Sequence, residues 1–235
     1  MTQNTTPKIL VIIPAFNEEE TIASVITDVR TNVPEAVILV VNDGSRDSTA
    51  AIAESLGVVT LTHPYNLGFG ATMQTGYKYA RQFGFSVAVQ VDGDGQHRAD
   101  QIRRLIEPII YGTAQITIGS RFLDGGDYKP SLARSAGMAI FSKVVSVILR
   151  EKITDTTSGF RASGRDVIAY YCGHYPDDYP EVEALVLLHR KGFRIMEVPV
   201  KMSERGGGRS SITPTKSAFY MIKVLLAIFV DLLKK

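Results

Sequence analysis

The chain has 235 residues, of which 45% are hydrophobic and 21% charged, and this excludes both a disordered chain and one too short to bury a core. A formal net charge of +2 gives no ground to expect a nucleic-acid partner. Cys172 is the single cysteine, which excludes an intramolecular disulfide and fits a reducing cytoplasm.

In the first half of the chain, apolar runs alternate with helical segments, which predicts an α/β fold with a mostly parallel sheet and helices on both faces. The predicted strands are Lys8–Pro14, Ala36–Val41, Val58–Leu61 and Phe85–Val91. The predicted helices are Asn17–Thr31 with Asn17 as its N-cap, Ser48–Leu56 and Ala71–Phe83. Gly57 and Gly84 are expected to end the last two helices.

The second half begins with less regular patterns. Its predicted elements are the helices Ser131–Arg150 and Glu181–Lys191, the strand Phe193–Pro199 and the glycine- and serine-rich loop Met202–Thr213. No signal peptide is expected, since the first residues, MTQNTTPK, lack an apolar stretch.

The end of the chain bears on membrane contact. The stretch Ala218–Leu233 is apolar apart from Lys223 and Asp231, and it is shorter than the ~20 residues that a membrane-spanning helix needs. We expect residues 214–235 to form an amphipathic helix that lies on a bilayer, docks onto a membrane partner or folds back onto its own domain.

Polar motifs directly follow three of the predicted strands. In parallel α/β sheets, ligands bind at the carboxyl ends of the strands. The motifs at these ends are Pro14–Glu18, Asn42–Asp47 and Asp92–Gln96. The sequence therefore predicts one binding site along this edge of the sheet.

The Asp92-Gly93-Asp94 triplet is the strongest chemical signal. Two carboxylates one residue apart, on a turn freed by glycine, can converge on a divalent cation. Mg²⁺ or Mn²⁺ there would bridge to a diphosphate and neutralise a leaving group, and Gln96 would add a neutral oxygen ligand. The competing interpretation is an ordinary solvated Asp-Gly turn.

Asp43 is a candidate hydrogen-bond acceptor for a nucleobase or a ribose, although its loop is equally explained as a helix N-terminus capped by Asp47 or Ser48. The Gly-x-Gly within Asn66–Gly70 is a poor dinucleotide fingerprint, and we interpret it as close backbone packing under the nucleotide.

Several arginines in the second half would suit an anionic acceptor phosphate if they share one active-site mouth. Each one alone is more often a solvated surface residue. They are Arg121, Arg134, Arg161 and Arg205. The histidines show no metal-binding or triad spacing, and we expect all of them to be structural or exposed: His63, His97, His174 and His189.

Seven motifs in one order resemble family 2 glycosyltransferases with the Rossmann-like GT-A fold. They are IPAFNEEETI (Ile13–Ile22), VNDGSRDST (Val41–Thr49), NLGFGAT (Asn66–Thr72), VDGDGQH (Val91–His97), GSRF (Gly119–Phe122), DTTSGFRA (Asp155–Ala162) and KGFRIMEVPV (Lys191–Val200). The resemblance is to the branch of dolichyl-phosphate mannose synthases and polyprenyl-phosphate glycosyltransferases, and it spans almost the whole chain.

The resemblance implies a role for each matching residue. Its nucleotide-sugar site would comprise Pro14, Ala15, Asn17, Glu18, Asp43, Asp92 and, closing over the diphosphate, Arg205. The metal ligands would be Asp92, Asp94 and Gln96. The acceptor side would comprise Arg121, Arg134, Ser135, Ser158 and Arg161, shaped also by Asp155 and Gly159, and Glu181 and Glu183 would lie near it. The residues that carry the reaction would be Asp94, Asp155 and Arg121.

The resemblance also implies a reaction and a place. The expected enzyme inverts the anomeric carbon as it moves a sugar from a UDP- or GDP-sugar to a polyprenyl phosphate, with Mg²⁺ or Mn²⁺ bound. It would be cytoplasmic and peripheral on the cytoplasmic face of the membrane, held by amphipathic helices or by a small membrane subunit. The catalytic domain would cover residues 1–213, with a nucleotide-sugar half at about 1–120 and an acceptor half at about 121–213.

A phosphate acceptor is already ionised near neutral pH, so it needs positioning more than a base. A hydroxyl acceptor would need a base, and Asp155 is the candidate. The alternatives that the sequence leaves open are a soluble transferase acting on a saccharide or a small phosphorylated acceptor, a nucleotidyltransferase, and a non-catalytic nucleotide-binding or scaffold protein.

Overall fold

The computed structural model describes residues 7–123, 142–147, 152–176 and 180–203. Within these residues the strands form a single sheet of seven, in the order β3-β2-β1-β4-β6-β5-β7. The strands are β1 (Ile9–Ala15), β2 (Val37–Asn42), β3 (Val59–Thr62), β4 (Val87–Gln90), β5 (Ile116–Ser120), β6 (Arg161–Gly164) and β7 (Ile195–Pro199).

Helices separate most of the strands along the chain. They are α1 (Ile22–Asn32), α2 (Thr49–Ser55), α3 (Phe69–Gln82), α4 (Ile102–Ile110), α5 (residues 142–147), α6 (Arg165–Tyr171) and α7 (Pro180–Arg190). A short 3₁₀ helix, Ala99–Gln101, leads into α4.

The sheet is mostly parallel, as the sequence predicts. Neighbouring strands all run parallel except at β6, which is antiparallel to both β4 and β5. Gln90, the last residue of β4, therefore pairs with Arg161, the first residue of β6. Residues 152–160, called the loop before β6 from here on, therefore lead into the same edge of the sheet as the carboxyl ends of the other strands.

Two apolar layers cover the faces of the sheet, because successive side chains of a strand point to opposite sides. Val11 and Ile13 of β1 pack with apolar residues of α1, α2 and α4. Leu10 and Ile12 of the same strand pack on the other face with residues of α3, α6 and α7. These side chains are fully buried, so the edge that carries the polar motifs rests on a rigid core.

The first helix begins later than predicted. Asn17 is not its N-cap: α1 starts at Ile22 after Thr21, and Asn17 adopts a left-handed backbone with φ 55°. Its side-chain Oδ1 instead accepts a hydrogen bond from the backbone N–H of Arg46, 2.9 Å away. A long-range contact to the loop after β2 therefore takes the side chain that a local cap would use.

Two strands, β5 and β6, have no sequence pattern that predicts them. β6 reads RASG and β5 reads ITIGS, so neither shows the apolar run of a buried strand, although every residue in both is buried. The predicted helix 131–150 is described only at residues 142–147, which are helical. The predicted loop beyond residue 203 and the C-terminal helix 214–235 lie outside the described residues. In the part of the chain that is described, no helix is long and apolar enough to cross a membrane.

Candidate active site

A cleft of about 570 Å³ opens at the carboxyl ends of β1, β2 and β3. Phe16 and Asn17 line it from the loop after β1, Arg46 from the loop after β2, and His63 and Tyr65 from the end of β3. The rings of Phe16 and Tyr65 are 43% and 65% exposed, which makes them flat apolar surfaces facing an open cleft. Such surfaces suit the stacking of a planar ligand group.

The two loops beside this cleft are tied to each other by hydrogen bonds. The backbone N–H of Asn17 donates to Ser45 Oγ at 2.9 Å, and that of Glu18 donates to Thr49 Oγ1 at 2.8 Å. Asn17 thus lies in the cleft wall, and its contact with a nucleotide stays a prediction. Pro14 and Ala15 do not: both are buried residues of β1, and Phe16, which the sequence analysis did not single out, lines the cleft instead.

Asp43 organises the far wall of the cleft. Its carboxylate accepts the backbone N–H groups of Leu67 and Gly68, both at 2.9 Å, and the Nδ1–H of His63 at 2.8 Å. His63 Nε2 lies 3.0 Å from Thr75 Oγ1 on α3. The carboxylate is buried, so most of its hydrogen-bonding capacity serves the loop at residues 65–68. Contact between Asp43 and a base stays a prediction.

The carboxylates predicted to bind metal follow β4 on a tight loop. Asp92 Oδ1 accepts Gln90 Nε2 at 3.1 Å, and Asp94 Oδ1 accepts the backbone N–H of Gln96 at 3.0 Å. The Asp92 side chain is 32% exposed. Glu18, a predicted nucleotide-site residue, packs beside this loop, where a Cβ on Gly93 would lie 3.3 Å from Glu18 Cγ.

His97 contacts the loop that carries Asp92 and Asp94, which we call the candidate metal loop. Its Nδ1 accepts the backbone N–H of Asp92 at 3.0 Å, so the ring proton lies on Nε2 when the imidazole is neutral. The ring is buried and stacks on Phe160, with 4.8 Å between the centroids. His97 is therefore structural, as expected, and it fixes the loop that carries both carboxylates.

The donor set fits a hard divalent cation. Asp92 and Asp94 supply carboxylate oxygens on one loop, and the described residues contain no group of three or more His, Cys, Asp and Glu side chains able to hold a metal by themselves. The Gln96 side chain stays a predicted ligand.

The loop before β6 packs closely against the carboxylate of Asp92. A Cβ on Gly159 would lie 2.7 Å from Gln90 Nε2 and 3.2 Å from Asp92 Oδ2. A larger residue there would have to displace the end of the Gln90 side chain, so the glycine of the Asp155–Ala162 motif allows this close approach.

At its other end, the loop before β6 holds Arg121. Asp155 Oδ2 accepts Arg121 Nε and Oδ1 accepts Arg121 Nη2, both at 2.7 Å, and Oδ2 also accepts the backbone N–H of Arg121 at 3.1 Å. The Asp155 side chain is fully buried, whereas that of Arg121 is 17% exposed. A base must reach the acceptor's proton, and both oxygens of Asp155 face Arg121. The geometry thus favours a positioning role for Asp155 over the predicted role of base.

Arg161 and Ser158 are buried. Arg161 Nε donates to Ser158 O at 2.8 Å and Nη2 donates to Thr156 O at 3.3 Å. Both residues are at most 4% exposed. They shape the loop from inside the fold, because Arg161 belongs to the interior strand β6, and their part on the acceptor side stays a prediction. The predicted site residues Arg134, Ser135 and Arg205 lie outside the described residues.

Phenols surround the buried side of Arg161. Burial raises the pKa of Tyr77 to about 12, against the smaller opposing effects of its hydrogen bond with Ser163 and of Arg161. Burial likewise raises the pKa of Tyr171 well above its ordinary value. Both phenols therefore stay neutral at physiological pH.

The fold is an α/β fold whose candidate binding groups lie along the carboxyl edge of a mostly parallel sheet. The family model described as "Glycosyl transferase family 2" matches residues 10–171. The chain belongs to this family and is a glycosyltransferase, which sets aside the nucleotidyltransferase and the non-catalytic scaffold.

Two relatives cover most of the chain. It is 31% identical to polyprenol monophosphomannose synthase from Mycolicibacterium smegmatis, over 93% of this chain and 86% of that protein. It is 30% identical to UDP-N-acetylglucosamine–dolichyl-phosphate N-acetylglucosaminyltransferase from Methanococcus voltae, over 82% of this chain and 84% of that protein.

A solved structure confirms the GT-A fold. Glucosyl-3-phosphoglycerate synthase from Mycobacterium tuberculosis, in complex with Mn²⁺, UDP and glucosyl-3-phosphoglycerate, superposes with a TM-score of 0.71 at 17% identity, over 96% of this chain and 79% of that one.

His63 gives a direct test of the Asp43 network. Replacing His63 by leucine removes one donor from a buried carboxylate, and we expect a loss of about 1–3 kcal/mol in the free energy of unfolding. Urea denaturation measures this loss, and hydrogen exchange should show faster exchange at the Leu67 and Gly68 amides. His174→Leu, at an exposed position, is the matched control. If both variants unfold alike and the two amides stay protected, His63 does not support this wall.

Proposed function

We propose that this glycosyltransferase moves a sugar from a nucleoside-diphosphate sugar to a polyprenyl phosphate, with inversion at the anomeric carbon and with Mg²⁺ or Mn²⁺ bound. One observation carries the proposal. The loop before β6 touches the candidate metal loop at one end, through Gly159 and Asp92, and holds a bidentate arginine at the other, through Asp155 and Arg121. One end of this loop thus lies beside the two carboxylates proposed to bind the metal and the donor diphosphate. The other end lies beside the guanidinium proposed to bind the acceptor phosphate.

The spacing of the sheet supports two ligands side by side. The Asp92 loop follows β4 and Arg121 follows β5, and only β6 lies between these strands. Neighbouring strands are about 4.8 Å apart, so the two loops start roughly 10 Å from each other. That separation accommodates one sugar ring between a donor diphosphate and an acceptor phosphate.

The donor would bind across the cleft and the metal loop. Its base would stack on Phe16 or Tyr65, which line the cleft with exposed rings. Its diphosphate would reach Asp92 and Asp94, which would hold a divalent cation that neutralises charge on the departing nucleoside diphosphate. Arg205, outside the described residues, is proposed to close over the same diphosphate.

The acceptor would bind at Arg121. A phosphate monoester is ionised near neutral pH, and a planar guanidinium held in one orientation suits it. Because no proton has to be removed, the engagement of Asp155 with Arg121 is compatible with turnover. The acceptor oxygen would then attack the anomeric carbon from the face opposite to the leaving group. Arg134 and Ser135 are proposed as further phosphate contacts.

The two relatives point to a lipid acceptor. Their names differ in the sugar, mannose in one and N-acetylglucosamine in the other, and agree in a polyprenyl or dolichyl phosphate. We infer the acceptor class from what they share. With a lipid acceptor the protein would work at the cytoplasmic face of the membrane, either through the amphipathic segment Ala218–Leu233 or through a small membrane subunit.

A soluble phosphorylated acceptor is the second candidate. The structural neighbour from Mycobacterium tuberculosis was solved with glucosyl-3-phosphoglycerate, a small phosphorylated product. The guanidinium of Arg121 would suit either kind of phosphate, so the two candidates differ in where the product partitions.

Sugar transfer to lipid is tested with polyprenyl phosphate, Mg²⁺ or Mn²⁺ and a panel of radiolabelled donors: UDP-glucose, UDP-N-acetylglucosamine and GDP-mannose. We expect metal-dependent label in the organic phase from one of these donors. Asp94→Asn should lower kcat by about 10²–10³-fold, because it removes charge from the group that steadies the leaving diphosphate. The matched control is Asp100→Asn, at an exposed carboxylate paired with Arg98, and it should keep full activity.

Two other outcomes have distinct meanings. Label found only in a water-soluble product, when 3-phosphoglycerate replaces the lipid, would contradict the lipid acceptor and support the second candidate. Organic-phase label that Asp94→Asn and Asp100→Asn affect equally would contradict the proposed role of the metal loop.

A further inference from the structure

We propose that Glu197 is the residue that positions Arg121 for the acceptor phosphate, acting through Asp155. The inference rests on the proposed function for the nature of the acceptor, but its geometry stands apart from the donor cleft and from the metal loop. Glu197 lies on β7, within the motif Lys191–Val200, and no role is assigned to it by the sequence analysis.

The carboxylate of Glu197 accepts hydrogen bonds from two consecutive backbone N–H groups. Its Oε2 accepts the backbone N–H of Thr154 at 2.8 Å, and its Oε1 accepts the backbone N–H of Asp155 at 2.7 Å. The Thr154 hydroxyl donates to the same carboxylate, 2.9 Å from Oε2. Short hydrogen bonds to an ionised acceptor are among the stronger ones in proteins. Glu197 therefore fixes the backbone from which the Asp155 side chain departs.

The hydroxyl groups of Thr154 and Ser120 continue this series of hydrogen bonds from Glu197 to the end of β5. An ionised carboxylate only accepts, so Thr154 donates to Glu197 and its oxygen is left to accept from Ser120 Oγ, 2.8 Å away. Ser120 Oγ in turn accepts the backbone N–H of Phe122 at 3.2 Å. The directions of the two hydroxyl hydrogen bonds in this series follow from the charge on Glu197.

Two sets of hydrogen bonds begin at Glu197, one through Asp155 and one through Thr154 and Ser120, and both end next to Arg121. Ser120 and Phe122 flank it in the chain, and Asp155 holds its guanidinium with two contacts of 2.7 Å. The strand register places Glu197 beside Ile118, two residues before Ser120. One side chain on β7 thus anchors the backbone on both sides of the guanidinium.

The variant Glu197→Gln tests the charge of Glu197 separately from its size. In Glu197→Gln the side chain keeps its shape, but one oxygen becomes an NH₂ group that faces a backbone N–H. A donor then opposes a donor, and one short hydrogen bond is lost. Loss of a hydrogen bond to a charged group corresponds to about 10–100-fold in affinity, and we expect the KM for polyprenyl phosphate to rise by that factor.

The experiment measures the KM of both substrates for the wild type, Glu197→Gln and Thr117→Val. Thr117 is the matched control, because it lies on β5 and its buried hydroxyl donates to Leu105 O of α4 at 2.6 Å. We expect Glu197→Gln to raise the acceptor KM while the donor KM stays within about twofold. Thr117→Val, compared at a similar loss of Tm, should change neither KM. Equal changes in both KM values, or behaviour like that of Thr117→Val, would overturn the proposal.

A second readout separates this inference from the proposed function. The ¹⁵N NMR signal of the Arg121 Nε–H, identified by its loss in Arg121→Lys, reports the contact with Asp155 without any substrate. We expect Glu197→Gln to shift or broaden it and Thr117→Val to leave it in place. If the signal responds but no lipid is glycosylated, the positioning role holds and the proposed function fails. If lipid is glycosylated and the signal is unchanged in Glu197→Gln, the positioning role is wrong.

Discussion

The reversal of a single strand determines how this site is assembled. β6 runs antiparallel between β4 and β5, so its first residue, Arg161, lies at the edge where the other strands end. The loop before β6 is thereby brought beside both the Asp92 loop and Arg121. A fully parallel sheet would send that loop to the opposite edge. The acceptor side depends on this reversal as much as on any single side chain.

Acidic side chains at this edge divide into two groups. Asp43, Asp155 and Glu197 are committed to backbone N–H groups or to Arg121, which stabilises the loops and leaves their charge satisfied within the protein. Asp92 and Asp94 lie together on the loop after β4, and the Asp92 side chain is 32% exposed. The first three carboxylates stabilise the loops of the site, and the Asp92 and Asp94 carboxylates are the candidates for binding a cation. Sequence alone does not separate these groups, because it does not show which backbone N–H groups each carboxylate accepts.

The elements that sequence predicted best are those with long apolar runs, such as β1 and β2, and the loops that follow them. β6 was missed because its four residues carry no apolar pattern and are buried only by long-range pairing. The same pairing explains the burial of Arg161, whose charge alone suggests a surface residue although the interior strand β6 holds it inside. At Asn17, a hydrogen bond to a distant loop replaced the local cap. Each of these outcomes is set by tertiary contacts that a linear pattern does not encode.

The central claim is that donor and acceptor phosphates flank the loop before β6. A crystal structure with nucleoside diphosphate, Mn²⁺ and a short-chain polyprenyl phosphate tests it most directly, with anomalous scattering to locate the metal. The account predicts one Mn²⁺ peak at the Asp94 carboxylate, the base in the cleft beside Tyr65, and the acceptor phosphate hydrogen-bonded to the Arg121 guanidinium. A phosphate bound elsewhere, with no phosphate contact at the Arg121 guanidinium, would contradict it.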